Sequence, residues 1–540
     1  MAETTRTGAS SYDARMRAYF SRRGLLMGAG AGAAMLALGG ATPKAAGARA
    51  LRQDATQITI GLEGDPRGIE PAVAYDFTAN QVTTQITEAL LMVAEDGSTQ
   101  PLLAEKWEQP DPLTYVYTLR EGVTFHDGST LTVADVIASI ERVRNPDIAS
   151  PLAWMFDPVA SMEETGEREL TITLSEPNGS FQYVASVTAM HVMPKAFIDT
   201  LTAEYTRQPI GTGPYKVESW DAGSQIVLAK HTEYWQEGKP YFDRAVFQIV
   251  PEGTTRVTGL STGDLQLVRE IPPDQLSVVR DLPNVTLQEV VGYSINSIVM
   301  RNDQAPFDDP KVRQAVSMAI DVESIMTNLV GELGIRARST TVPPEMPGSA
   351  SAELDFVPYD VEQAKQLLAE SGHPDGFSTF LLVDSESELR VAEAQAVQQM
   401  LAEIGVQVEI NQVPNADRIT LFQSGEYEGM AFHEWGSDFP DANGMLAPLF
   451  LSRNAPPQNN QSAYSNPEVD ALIDGADAEI DPEKRNQMLI DAQKLIAADM
   501  PVIWLDHFKW FMAIDNAYTG YTIRPLFYWD AFLRDLAPGE

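Results

Sequence analysis

The residues with the most chemistry per position lie in "HEWGSDFPDANG", running from His433 to Gly444 between apolar flanks. Three chemistries suit them. Asp438 and Asp441 are candidates for the carboxylate pair of a glycosidase, which needs two acids at a set separation on either side of a sugar ring. His433 with the aspartates offers metal ligands. Trp435 with Asp438 offers a pocket wall for an organic cation, the carboxylate supplying the counter-charge and the indole face a ring contact. The two aspartates stand three apart across Pro440, too short a loop to say whether their carboxylates face each other, and solvated turn residues are the competing reading. The preceding "EGMAFHEWG" raises the third chemistry, because it reads as a mostly apolar strand that delivers Trp435 and Asp438 to its carboxyl end. Ligands of open α/β sheets bind at such ends.

Elsewhere the chemical signals are weak. "GLSTG", Gly259 to Gly263, fits the G-x-S-x-G nucleophile elbow with Ser261 at its centre. An elbow needs a buried strand before the serine and a helix after it. Here "PEGTTRVT" is polar and helix-like and "DLQLV" is strand-like, so the order is reversed. The six histidines, at 126, 191, 231, 373, 433 and 507, are scattered. No two fall within a helical turn, so H-E-x-x-H zinc chemistry is absent. His126 and His433 read as loop histidines, and His231-Thr232-Glu233 lacks the Pro-Cys-x-x-Cys half of a deaminase. "IGTGPYKV" has glycines without the lysine of a phosphate loop. The expectation is therefore no catalytic residue, no metal and no cofactor, with an assembled metal site from distant residues left open by spacing alone.

Composition narrows the class. The 540 residues hold 38 Lys plus Arg against 76 Asp plus Glu, a net charge of −38. That balance argues against nucleic acid, whose affinity comes from neutralised phosphates. Apolar residues make up 44 % of the chain, enough for a substantial core. The start is different: Arg6, Arg15, Arg17, Arg22, Arg23, Lys44 and Arg49 stand against Glu3 and Asp13 within residues 1–50. "SRRGLLMGAGAGAAMLALGGA" sets Arg22 and Arg23 before an uncharged stretch, followed by small residues at Ala46, Ala48 and Ala50 that suit cleavage after Ala48 or Ala50. The pattern resembles a twin-arginine signal, with Leu25 and Met27 as departures. An N-terminal membrane anchor is the alternative, disfavoured by the glycine content. Cysteine is absent, which removes disulfides, thiolate sites and a lipid-modified N-terminus. A soluble, monomeric protein free in a periplasm is expected.

The elements that must position these residues alternate. "QITIGL" reads as a strand, "TYVYTLREGVTFHDG" as a hairpin-like strand pair, and "LTVADVIASIERVRN" as a helix with Thr132 at its N-cap and Asp135 in capping-box position. "ELTITLSEP", "SQIVLAKH", "VQVEINQV" and "PVIWLDHFKWFMAI" read as strands. "DPKVRQAVSMAIDVESIMTNLVG", "YDVEQAKQLLAESG", "VAEAQAVQQMLAEIG" and "NPEVDALIDGADAEIDPEKRNQMLIDAQKLIAADM" read as helices. Interleaved strands and helices predict an α/β architecture.

Several long motifs, in order, are similar to one family. "LAEKWEQPDPLTYVYTLREGVTFHDGSTLTVADVIASIERV", "PIGTGPYKVESWDAGSQIVLAKHTEYWQEGKPYFDRAVFQIVPEGTTRVTGLSTGDLQL", "APFDDPKVRQAVSMAID" and "YSNPEVDALIDGA" resemble the extracytoplasmic solute-binding proteins of ABC importers, in the dipeptide/oligopeptide/nickel-binding group known as family 5. The resemblance spans about residues 57 to 530, and it assigns "GLSTGDL" to a structural turn. It implies a two-lobed α/β fold, the type II periplasmic binding protein fold, with an extra subdomain in the first lobe and the ligand cleft between lobes. It implies a signal peptide over 1–50; lobe I over 51–90, 208–290 and 505–540; the subdomain over 91–207; and lobe II over 291–504. Hinges are implied near Val290–Met300 and Pro501–Lys509. It implies permease and ATPase partners in separate chains. Peptide-binding members pair an aspartate three residues after a tryptophan with the ligand's α-ammonium group. Trp435-Gly436-Ser437-Asp438 matches, so Asp438 is implied as the anchor, with Trp435, Gly436 and Ser437 around it. The dipeptide branch also carries an arginine for the ligand carboxylate, shortly before the helix matching "ELRVAEAQAVQQML". "FSTFLLVDSESE" has none, and Arg390 comes about two helical turns later. A longer peptide, an opine, a sugar or a nickel chelate stay open as ligands, and an exported hydrolase using Ser261 or the Asp438/Asp441 pair is the competing class.

Overall fold

The computed structural model describes residues 56–94, 97–202, 206–526 and 533–539. The signal-peptide reading of residues 1–50 lies outside them. The spine is a mixed sheet of twelve strands. β1 (Gln57–Leu62), β2 (Tyr215–Asp221), β3 (Gln225–Lys230), β4 (Arg244–Ile249), β5 (Leu267–Arg269) and β6 (Val285–Val291) build one half. β7 (Ser294–Met300), β8 (Gly334–Arg336), β9 (Ser378–Asp384), β10 (Gln407–Val413) and β11 (Met430–Gly436) build the other. β12 (Val502–Asp515) runs through both: its first residues pair with β7 and β8, its last with β5 and β6.

β7 is buried along its whole length and β12 at every residue but Lys509, as central strands covered by helices must be. The two halves thus form a two-lobed α/β fold, joined by the β6–β7 connection through Gly292 and Tyr293 and by β12 itself. In the second half the helices Pro310–Met318, Val361–Glu370 and Glu388–Ala402 bury Val312, Ala364, Ala394 and Val397 with Ile298, Phe432 and Ile503 of the sheet. In the first half, Val257 and Leu260 of the helix Gly253–Thr262 pack with Val268 and Phe511.

A separate four-stranded sheet is inserted between β1 and β2, in the order 104–111, 114–119, 169–174, 159–166. Strict alternation in "TYVYTL" buries Tyr115, Tyr117 and Leu119 on one face. The expected pairing of this strand with "VTFHDG" is corrected here: its partners are Ala104–Asp111 and Glu169–Leu174. The "FHDG" segment is a turn closed by an isolated Thr124–Thr130 bridge. It docks on "IGTGPY" instead: His126 Nε2 lies 3.0 Å from the Gly213 carbonyl, and the His126 N–H donates to the Gly211 carbonyl. Burial pushes the His126 imidazole down to about 4, which keeps it neutral. The glycines of that loop serve contact rather than phosphate, since a Cβ on Gly213 would come within 2.6 Å of the Gln85 carbonyl oxygen. The helix Val133–Arg144 starts as its sequence predicts, Asp135 Oδ2 accepting from both the backbone and the hydroxyl of Thr132. Its Arg142 pairs with the buried Glu70. Among the described residues no helix is long and apolar enough to cross a membrane.

Candidate ligand-binding site

Strand direction locates the site. β12 leads from the second half into the first. β11, and β9 beside it, run parallel to β12, because both β11 and β12 are antiparallel to β7. Their carboxyl ends therefore point at the first half. β5 is antiparallel to β12, and β1 and β4 follow β5. Their carboxyl ends point back at the second half. The ligand-binding edges of two open sheets thus converge at one junction.

"HEWGSDFPDANG" is the exit from β11 into this junction. β11 pairs with β7 up to its last residue, Trp435 opposite Ile295 and Gly436 opposite Ser294. The chain then turns at once. The Ser437 N–H donates to the Tyr293 carbonyl at 2.9 Å. Ser437 Oγ donates to the Phe439 carbonyl at 2.7 Å and accepts from the Phe439 N–H at 3.2 Å. These bonds close a short turn with Asp438 at its tip, half-buried while Ser437 and Phe439 are buried. Trp435 is half-buried beside it, its indole N–H donating to the Gly444 carbonyl at 3.2 Å and its ring stacked on His433 with centroids 6.3 Å apart. Gly436 and Ser437 thus lie in the turn, with Trp435 beside it and Asp438 at its tip.

The other two chemistries fail on geometry. His433 is buried, and burial together with Arg418 pushes its imidazole down to about 3. No group of three or more metal-ligating side chains stands together among the described residues. Asp441 is fully buried, and its oxygens are taken by Arg485 at 3.0 and 2.6 Å, the Ser180 hydroxyl at 2.7 Å and the Asn443 N–H at 3.2 Å. With both oxygens occupied by these partners and no exposed surface, Asp441 is not available to a sugar. The two aspartates are not a catalytic pair.

Residues 98–457 match the family model of the bacterial extracellular solute-binding proteins, family 5. The chain belongs to that family. It is 30% identical over 477 residues to the glutathione-binding protein GsiB of Salmonella typhimurium, covering 87% of this chain and 93% of that one. Among solved structures it is similar to HbpA2 from Haemophilus parasuis, with a TM-score of 0.82 and 25% identity over 90% of this chain and 100% of that one. It also resembles AgaA from A. tumefaciens R10, solved with agropinic acid, with a TM-score of 0.72 and 25% identity over 90% and 99% of the two chains.

Within this family 5 chain the remaining candidates fall into structural places. Ser261 is exposed in the last turn of the helix Gly253–Thr262, which ends on Gly263 in the left-handed region and precedes β5. That is the reverse of an elbow. Arg390 is only 2% exposed, and its guanidinium is held by Glu393 at 2.5 Å and Glu434 at 2.7 Å above the Phe508 ring. It is spent inside the second half rather than offered to a ligand carboxylate.

Sequence reasoning missed acidic groups on both converging edges. Glu63 directly follows β1, and Glu270 directly follows β5. Burial pushes their carboxyls up to about 7 and about 8, against the lowering effect of Arg256 and Arg269. Asp384, the last residue of β9, is raised by burial. Their one local signal was an acidic residue at a strand's carboxyl end.

Proposed function

We propose that this family 5 protein is the substrate-binding receptor of an ABC importer and holds a peptide-like solute by its amine between two lobes. Asp438 serves as the counter-ion and Trp435 as the wall, with Gly436 and Ser437 shaping the turn. Lobe I comprises 51–90, 208–290 and 505–540 with a subdomain at 91–207, lobe II comprises 291–504, and hinges lie near Val290–Met300 and Pro501–Lys509. The observation that carries this reading is the convergence of both halves' strand carboxyl ends on the turn that presents Asp438. The named ligand of the similar GsiB, glutathione, supports a small peptide-like solute with a free amine, while agropinic acid, named for AgaA, leaves the ligand class open. A receptor of this kind performs no turnover, and its permease and ATPases are separate chains. The absence of cysteine and the Arg22-Arg23 segment support export to the periplasm without a lipid anchor.

Native mass spectrometry of the purified mature protein identifies the retained solute, and calorimetry with that solute gives its affinity. Asp438→Asn is expected to cost about 2–5 kcal/mol of binding, the range for removing a buried charge partner. Unchanged affinity in that variant sinks the anchor. Hydrolysis of peptides or glycosides that Ser261→Ala or Asp438→Asn abolishes sinks the receptor reading.

A further inference from the structure

Three residues beyond Asp438, the second acid of the same loop reaches across the junction. Asp441 and Asn443 belong to the second half, together with Asp477 at the end of the helix Pro467–Ala478 and Arg485 in the helix Pro482–Asp499. Gly179 and Ser180 belong to the inserted sheet's side. Their segment continues to Ala185, whose carbonyl accepts from Leu91, and to Thr188, whose hydroxyl donates to Asn80 Oδ1 in the helix Phe77–Ile86. The Ser180 hydroxyl donates to Asp441 Oδ2 at 2.7 Å, on the same oxygen that Arg485 grips. The Gly179 N–H donates to Asp477 Oδ1 at 3.1 Å, an oxygen also held by the Asn443 side chain at 2.7 Å. The Trp154 ring meets Phe439 edge-on at 6.1 Å, one residue from Asp438.

We infer that Gly179 and Ser180 engage the Asp441–Arg485 pair and Asp477 as a latch between the lobes, closing the junction and fixing the loop that carries Asp438. Ser180 and Asp441 are positioning residues here. They touch no ligand, and the loop they fix does. The acceptors on the second half are built in advance, because Arg485 already holds Asp441 and Asn443 already holds Asp477. Closure adds two donors and the Trp154–Phe439 ring contact. The approach also has no room to spare: a Cβ at Gly179 would stand 2.5 Å from Arg485 Nε and 3.1 Å from the Ala476 carbonyl oxygen. Glycine is required there because another half of the molecule must press against the backbone. Serine supplies the shortest hydroxyl that reaches Asp441. The latch rests on the receptor reading only for the role of Asp438.

The chain has no cysteine, so spin labels can be placed uniquely on the mature protein through the exposed sites Glu164→Cys and Glu403→Cys, one on each side of the junction. Pulsed electron resonance without added solute then reads the inter-label distances. The unsubstituted background is expected to populate a short, closed distance. Gly179→Ala and Ser180→Ala are expected to shrink that population by about tenfold, the scale of a lost hydrogen bond to a charged group, with melting temperature and far-UV circular dichroism unchanged. Gly179→Ala places its methyl against the other half and leaves its own half intact. Asp438→Asn is expected to leave the distances unchanged while solute binding falls, which separates failure of the latch from failure of the anchor. Distances unaltered in both latch variants, or no short population in the background, overturn the inference.

Discussion

Two buried ionic centres in the second half use the same groups in different proportions. At Asp441 one carboxylate meets one arginine, and the neighbouring hydroxyl and amide satisfy the remaining lone pairs. At Arg390 a single guanidinium faces Glu393, Glu434 and Asp506, the last of which also accepts from Asn296 at 2.8 Å. Asp477 stands beside that pair, and burial pushes its carboxyl up to about 7 against the lowering effect of Arg485. Both centres hold more acids than arginines, the second by the wider margin, and Asp506 Oδ1, Glu393 Oε1 and Arg390 Nη2 at the second, like Arg485 Nε and Asn443 Oδ1 at the first, find no hydrogen-bond partner. Burial consequently pushes the Asp506 carboxyl up to about 7 against the lowering effect of Arg390, and it raises Glu393 as well. In both centres burial acts against the arginine on the acid that the arginine does not grip in a fork.

The largest effect should come from removing the arginine of the first centre. Arg485→Met leaves Asp441 buried without its counter-charge and should cost about 3–5 kcal/mol in urea unfolding. A loss below about 1 kcal/mol would mean that water reaches Asp441 and that the two centres do not differ as described.

Next comes the second centre, through pH. The folded-state carboxyl of Asp506 titrates at about 7, above its ordinary 3.8. The stability linked to it is complete below about pH 4 and drains away as pH rises through 7, at up to about 1.4 kcal/mol per pH unit. Asp506→Asn, which keeps the shape and loses the proton, should flatten the fall of melting temperature between pH 5 and pH 8. It should be more stable than the parent at the upper end. A parallel fall in both proteins would assign the pH dependence elsewhere, with Glu63 and Glu270 next in line, since burial raises both.

These two centres also mark where the sequence stopped being readable. The α/β alternation, the strand into "HEWG" and the turn after it are local patterns, and the structure has them where the spacing predicts them. Trp435 and Asp438 were legible because strand and loop suffice to set them side by side. Asp441 was not, because its partners are Ser180, 261 positions earlier, and Arg485, 44 positions later. Nothing in its neighbourhood distinguishes it from a solvated turn residue. The hairpin expected at "TYVYTLREGVTFHDG" failed for the same reason. The strand's partner "ELTITL" lies beyond the helix Val133–Arg144, and alternation reports that a strand has a buried face without naming what pairs with it.

The smallest expected effect is the sharpest control on the comparison. Arg453 grips Asp474 through both guanidinium nitrogens at 3.0 and 2.7 Å, the same fork that Arg485 makes on Asp441. Geometry and residue types are matched. Exposure is not, at 58% and 49% for the surface pair's side chains against 6% and 0% for the buried pair's. In water the surface pair gains little, because both ions are solvated when apart and salt screens them when together. Arg453→Met should therefore cost no more than about 1 kcal/mol and lose even that in high salt, whereas the cost of Arg485→Met should hardly respond to salt. Equal losses from the two substitutions would show that the fork itself carries the energy and that burial does not set its worth.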